Sequence, residues 1–126
     1  MNKKELLELV ETLNLPKTEY CILSGGSCVL NGIREQTNDL DIEITKKGFE
    51  LLKQNYTPEL ARKDIEQYKI TDKIECFLVE NLEEDVIYID NYPCQSLISM
   101  YNFKKKMNRE KDQADILAIE KILNIK

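Results

Sequence analysis

The chain has 126 residues, a net charge of −5, 42% hydrophobic and 33% charged residues, and no histidine. Its length suits one domain, residues 1–126, with a core that needs no staples, and no apolar run is long enough to cross a bilayer. The missing imidazole excludes Ser-His and Cys-His triads, histidine zinc sites and histidine general bases, while the acidic balance excludes broad nonspecific duplex binding.

Leu6, Leu7, Val10 and Leu13 have helical spacing, and Asn14-Leu15-Pro16 ends that helix. The opening Met1-Asn2-Lys3-Lys4 and the charged run after it lack the unbroken apolar region of a secretory signal, so a cytoplasmic location is expected. Tyr20-Cys21-Ile22-Leu23 reads as a buried strand that runs into Ser24-Gly25-Gly26-Ser27. Gly25 and Gly26 allow backbone angles and close approaches closed to other residues, and Ser27 is placed to cap a short helix from Cys28 to about Ile33. Such a turn leaves main-chain N–H groups unpaired at a helix N-terminus, which favours an anion such as a triphosphate. An ordinary strand-to-helix connection uses the same residues.

A polar loop over 34–38 leads to Asp39-Leu40-Asp41-Ile42-Glu43-Ile44, where acidic and apolar residues alternate strictly. A strand here holds Asp39, Asp41 and Glu43 on one face and sends Leu40, Ile42 and Ile44 to the core. Three carboxylates on one face repel one another unless cations or solvent relieve them. Mg²⁺ takes one or two carboxylates together with water and phosphate oxygens; a solvated edge strand guarded by its charges is the other reading. A helix is expected over 47–55, with Phe49, Leu51 and Leu52 as core, then a hairpin of 66–70 and 73–79 across Thr71-Asp72, and a strand at 86–89. Glu75 is the one acid among the apolar residues of the second hairpin strand, either a site residue or a surface acid. Two closing helices are expected, 95–107 and 110–123, the latter amphipathic through Ile116, Ile119, Ile122 and Leu123.

Residues 96–126 carry seven cations against four acids, net +3, which leaves −8 for the rest of the chain. A basic C-terminal element facing an acidic centre suits phosphate groups. Lys111 and Asp115 are also spaced as a solvated helix ion pair. Cys21, Cys28, Cys76 and Cys94 show no Cys-x-x-Cys spacing and read as buried reduced thiols.

Gly25-Gly26-Ser27 followed twelve residues later by Asp39-Leu40-Asp41-Ile42 resembles the signature of the nucleotidyltransferase superfamily, which includes DNA polymerase β, lincosamide and aminoglycoside nucleotidyltransferases and AbiEii-type toxins. The tract Arg109-Glu110-Lys111-Asp112 and then Asp115-Ile116 resembles the closing helices of small bacterial members. The resemblance implies an α+β fold, with a mixed β-sheet, helices packed on one side and two C-terminal helices. It implies triphosphate binding by Gly25, Gly26 and Ser27 with Arg109 and Lys111 as phosphate clamps, Arg34 being a further one. It implies Mg²⁺ or Mn²⁺ held by Asp39 and Asp41. A third carboxylate, as metal ligand or proton acceptor, falls to Glu75, where the family usually has Asp; Glu43 and Asp72 are the fallbacks. The implied reaction moves a nucleoside monophosphate from a nucleoside triphosphate to a hydroxyl acceptor such as an antibiotic, tRNA or protein. A toxin-antitoxin or abortive-infection setting, with a homodimer or an antitoxin as partner, follows from the same resemblance. A catalytically silent nucleotide- or partner-binding module of this fold is the alternative.

Overall fold

The computed structural model describes residues 1–124. Asn2 caps α1 (Lys3–Thr12) reciprocally: its side chain accepts from the Glu5 N–H while the Glu5 carboxylate accepts from the Asn2 N–H. The chain continues through β1 (Tyr20–Leu23), α2 (Ser24–Leu30), β2 (Leu40–Ile44), α3 (Lys46–Leu52), β3 (Glu59–Arg62), β4 (Gln67–Thr71) and β5 (Ile74–Leu78). It closes with β6 (Val86–Ile89), β7 (Tyr92–Gln95), α4 (Leu97–Met107), a 3₁₀ turn at Glu110–Asp112 and α5 (Gln113–Leu123).

The strands form one mixed sheet in the order β3-β4-β5-β2-β1-β7-β6. β2 lies near the middle, antiparallel to β1 and parallel to β5, and β1 runs parallel to β7. This is the expected α+β class. The apolar half of the β2 alternation is fully buried, since Leu40, Ile42 and Ile44 pack with Ile22, Ile74 and Cys76. Helices α1, α2 and α3 cover that face through Leu6, Val10, Val29, Leu30, Phe49 and Leu52. Burying each large aliphatic side chain contributes about 1.5–3 kcal/mol. A one-residue slip of β2 would forfeit three such burials at once, and that fixes the opposite, acidic face outward. A second small core of Cys28, Met100 and Ile119 joins α2 to α4 and α5.

Several elements depart from the sequence reading. The hairpin and β6 fall where expected, but β3 and β7 carry no alternation that announces them. All four residues of β3 are exposed, because it is the sheet edge. β7 contains Pro93, which argues against a strand; it is tolerated because β7 meets β1 through the single pair Ile22–Cys94. The last expected helix begins three residues late, after the 3₁₀ turn. The four cysteines are free and buried. Burial pushes their thiols up, Cys76 to about 12 and Cys94 to about 11. Among the described residues no helix is long and apolar enough to cross a membrane.

Candidate active site

The site begins where β1 stops. Ser24 adopts a left-handed φ of 50°, which turns the chain at once into α2. Its N–H donates to Gln95 Oε1 at 2.9 Å. The two glycines are needed for space rather than for positive φ. A Cβ on Gly25 would lie 2.3 Å from Thr37 Oγ1, and one on Gly26 would lie 2.7 Å from Ile22 Cγ2. Because the helix starts at Ser24, Ser27 falls inside it, and the expectation that Ser27 caps it is corrected. Ser27 is 0% exposed; its hydroxyl donates to Ile22 O at 2.5 Å and accepts from Gln95 N at 3.1 Å. Gly26 is buried as well, and the residues of the turn that line the cleft are Leu23, Ser24 and Gly25. Helix α2 has no side-chain cap at its N-terminus. Replacing Ser27 with alanine is expected to destabilise the chain by about 1–3 kcal/mol, because it orphans buried main-chain groups. Nucleotide affinity measured on the folded variant should stay unchanged.

β2 and β5 bring the acids together. In their parallel register Asp41 stands beside Glu75, and Leu23 flanks Asp41 on the other side. Asp39 lies just before the strand and is exposed. Burial pushes the Asp41 carboxyl up to about 6, with repulsion from Glu75 and Asp39 adding to it and Lys111 opposing it. Four of the residues singled out in the sequence therefore share one electrostatic neighbourhood. Glu75 accepts a hydrogen bond from the side chain of Gln67, which itself lines the cleft. Of the fallback acids, Glu43 lines the cleft and Asp72 does not. Glu43 accepts from the Glu83 N–H at 3.0 Å, and Asp72, 97% exposed at the hairpin turn, pairs with Lys69. Among the described residues no three acidic or cysteine side chains stand together as a ready-made metal cage.

The C-terminal tract brings cations to the same place. Arg109, Lys111 and Lys104 line the cleft with Arg34. Asp115 does not pair with Lys111; it pairs with Arg34 and Lys104, while Asp112 pairs with Arg109 and Lys104. The Arg109 side chain holds the Asp112 carboxyl below the usual carboxylate range. Lys104 was hidden in a run of three lysines. Its spacing of four from buried Met100 on α4 is the signal that sets it apart from Lys105 and Lys106.

Thr37, Arg62, Ile65, Phe77, Val79, Phe103 and Met107 add to the lining of a cleft of about 900 Å³. No motif marks them. A hydrogen-bonded chain holds its rim: Gln95 donates to Glu83 at 2.8 Å, Ser99 Oγ donates to Glu83 at 2.8 Å, and the Glu83 main chain is held by Glu43. Glycine turn, β2 and the loop before β6 are thereby tied together.

No family model and no curated protein matches the chain. Among solved structures, a Thermotoga maritima protein described as a candidate nucleotidyltransferase superposes with a TM-score of 0.63 at 16% identity, over 98% of this chain and 96% of that one. ANT(2″)-Ia, in complex with adenylyl-2″-tobramycin, superposes with a TM-score of 0.61 at 13% identity, over 95% of this chain and 86% of that one. With matches over nearly its whole length, the protein has a nucleotidyltransferase-like fold.

Proposed function

We propose that the chain is a metal-dependent nucleotidyltransferase that moves a nucleoside monophosphate from a nucleoside triphosphate to a hydroxyl acceptor. One observation carries the reading: Asp41 lies with Asp39 in a cleft that five cations also line, and Glu75 stands beside Asp41 on the adjacent parallel strand. A carboxylate held among other carboxylates, as Asp41 is, also favours a divalent cation. Hard oxygen donors suit Mg²⁺ or Mn²⁺, which use one or two carboxylates and complete the shell with phosphate and water. Asp39 and Asp41 would hold the metal, with Glu75 as the third carboxylate. Bound there, the metal would neutralise phosphate charge and lower the pKa of the attacking hydroxyl.

The protein's own residues do the rest. Gly25 offers the main chain of the turn to the phosphates, the Ser24 N–H being held by Gln95, and Lys111 supplies a positive charge near Asp41. The acceptor oxygen bonds to the α-phosphorus as the bond from that phosphorus to the α,β-bridging oxygen breaks. Pyrophosphate leaves with the bond's electron pair, and the hydroxyl proton passes to a site carboxylate or to water. The adenylyl-bearing molecule bound in ANT(2″)-Ia supports the donor class for a site on this fold. An antibiotic, a tRNA or a protein is the acceptor class, approached across the apolar wall of Phe77, Val79, Phe103 and Met107. A cytoplasmic toxin-antitoxin or abortive-infection component, paired with a second copy or an antitoxin, is the setting the sequence resemblance favours.

A second reading, a silent nucleotide-binding module, has one observation in its favour. Glu75 is engaged by Gln67 and does not itself line the cleft. Thermal unfolding with ATP, GTP, CTP or UTP, each with and without Mg²⁺ or Mn²⁺, tests for the site. A nucleotide at a hundredfold excess over its Kd is expected to add about 3 kcal/mol of stability, only with metal. Transfer of label from the α-phosphate of that nucleotide to an acceptor then separates the two readings. A metal-dependent shift with no transfer to any acceptor class favours the silent module, and no shift at all sinks both.

A further inference from the structure

The two edges of the sheet are guarded unequally. β3 carries Glu59 and Arg62 and breaks its register between Leu60 and Arg62. Charges and bulges are the usual devices against pairing with a foreign strand. β6, at the other edge, reads Val86-Ile87-Tyr88-Ile89, with no charge, no proline and no register break. These are side chains that strands favour.

Pro93 on β7 reveals which main-chain groups of β6 are open. It stands opposite Tyr88 and has no N–H to give, so that pair is of the non-hydrogen-bonded kind, and the ladder runs through Ile87–Cys94 and Ile89–Tyr92. Val86 and Tyr88 therefore direct N–H and C=O away from β7. Among the described residues no main-chain group elsewhere bonds to them. The Tyr88 side chain is 56% exposed, while Ile87 and Ile89 turn the other way and pack against the core.

Charge selects what pairs there. No lysine or arginine occurs between Lys73 and Lys104, a stretch that holds Glu75, Glu80, Glu83, Glu84, Asp85 and Asp90. Lys3 pairs with Asp90, so the excess of negative charge collects at the start of β6. There Glu83, Glu84 and Asp85 share a shallow pocket with Ile98, which is 43% exposed. A long basic side chain can lay its stem on Ile98 and leave its cation among the acids. A second copy is a poor occupant. Antiparallel pairing would set Asp85 near the Asp90 of the other copy, parallel pairing would set Asp85 near Asp85, and acids facing acids across a ladder repel.

We propose that β6 is a docking edge for an extended, basic segment of a partner protein, which adds a strand to the sheet through the main chain of Val86 and Tyr88 and places a lysine or arginine beside Glu84 and Asp85. Main-chain bonds supply the affinity of such strand addition, and alternate side chains its selectivity. Tyr88 is the side chain that the added strand would cover.

The test uses a set of fluorescein-labelled hexapeptides with lysine at both ends and Val, Thr, Ile or Tyr at the four positions between, titrated into the full chain. Anisotropy should show saturable binding below about 1 mM for the tightest of them. Amide hydrogen exchange should slow at Val86 and Tyr88 when it binds. The same peptide with N-methyl groups on alternate main-chain nitrogens should not bind, and glutamate in place of both lysines should weaken binding about tenfold. Glu84→Lys, an exposed position, should weaken the basic peptide about three- to fivefold and strengthen the acidic one. Glu59→Lys, on the β3 edge, should change neither. Absence of binding across the set overturns the docking edge. So does equal binding of the N-methylated peptide, or binding that leaves exchange at Val86 and Tyr88 unchanged, since either marks charge adsorption alone. A dimer in sizing whose formation slows those same two amides without peptide overturns the basic partner in favour of a second copy. None of these readings involves nucleotide, metal or acceptor, so their outcome is separate from that of the transferase reading.

Discussion

Replacing Asp41 with asparagine is expected to abolish nucleotidyl transfer and, in the absence of metal, to make the chain more stable at neutral pH. Loss of transfer follows from the role proposed for Asp41: an amide carries no charge for a divalent cation, and a drop of at least about a thousandfold is the scale of losing a main electrostatic element of a site. The gain in stability follows from the raised carboxyl of Asp41, about 6 against 3.8 for an unperturbed aspartate. A carboxyl held above its unfolded value binds its proton more tightly in the native state. Its stabilising contribution is complete below the unfolded value, declines across roughly pH 4 to 6, and is gone above that. Two pK units would be about 3 kcal/mol for a fully buried group. Partial exposure of Asp41 reduces this to on the order of 1 kcal/mol. Urea unfolding of parent and variant in chelator at pH 5 and pH 7.5 measures it. The variant should lead at the higher pH and the gap should narrow at the lower one; equal stability at pH 7.5 would mean that the acids do not strain the fold. The same repulsion is what a divalent cation would relieve, so added Mg²⁺ should stabilise the parent and leave the variant unmoved.

The second large effect is expected at Asp112. Asp112→Ala removes a side chain that is 1% exposed and holds Arg109 through three bonds, two from its guanidinium and one from its main-chain N–H, and Lys104 at 3.5 Å. Stranding half of a buried pair typically costs 3–5 kcal/mol; with Arg109 partly exposed and able to find water, about 3 kcal/mol is expected here. For a chain whose whole stability is of order 5–15 kcal/mol, that is a substantial fraction. Because the Asp112 carboxyl sits below its ordinary range, its contribution is present at neutral pH and is lost as the pH falls through the folded-state value. Adding Lys104→Met should recover much of the loss, since an apolar side chain of similar length leaves no stranded ammonium. Chemical denaturation of the single and double variants reads this directly. A single variant within 1 kcal/mol of the parent would show that solvent already screens the cluster.

These two residues differ in how plainly the sequence displayed them. Asp41 was legible because β2 writes its geometry in a five-residue alternation, and the burial of Leu40, Ile42 and Ile44 leaves only one face for the acids. Asp112 was legible as part of a charged tract but not as a buried anchor. Helical spacing suggested an ion pair between Lys111 and Asp115, and the 3₁₀ turn at Glu110–Asp112 breaks the helix that such a pair requires. Ser27 shows the same weakness at the other end of the site. The residues of the glycine turn were found, yet one left-handed residue, Ser24, starts the helix early and rotates Ser27 into the core.

The sequence by itself determined the α+β class, the inward and outward faces of β2, the glycine turn and the pool of acids and cations from which a site is built. Those features rest on local periodicity and on residues with few conformational choices, so neighbours along the chain suffice to read them. Only the tertiary structure decided that Glu75 stands beside Asp41, that Arg34 is locked by Asp115 and that Lys104 is buried between two aspartates. Each of those pairings joins residues more than thirty positions apart or depends on which face of a helix is covered. Strand order, register and helix docking set them through the burial of the whole core, and no local pattern encodes that.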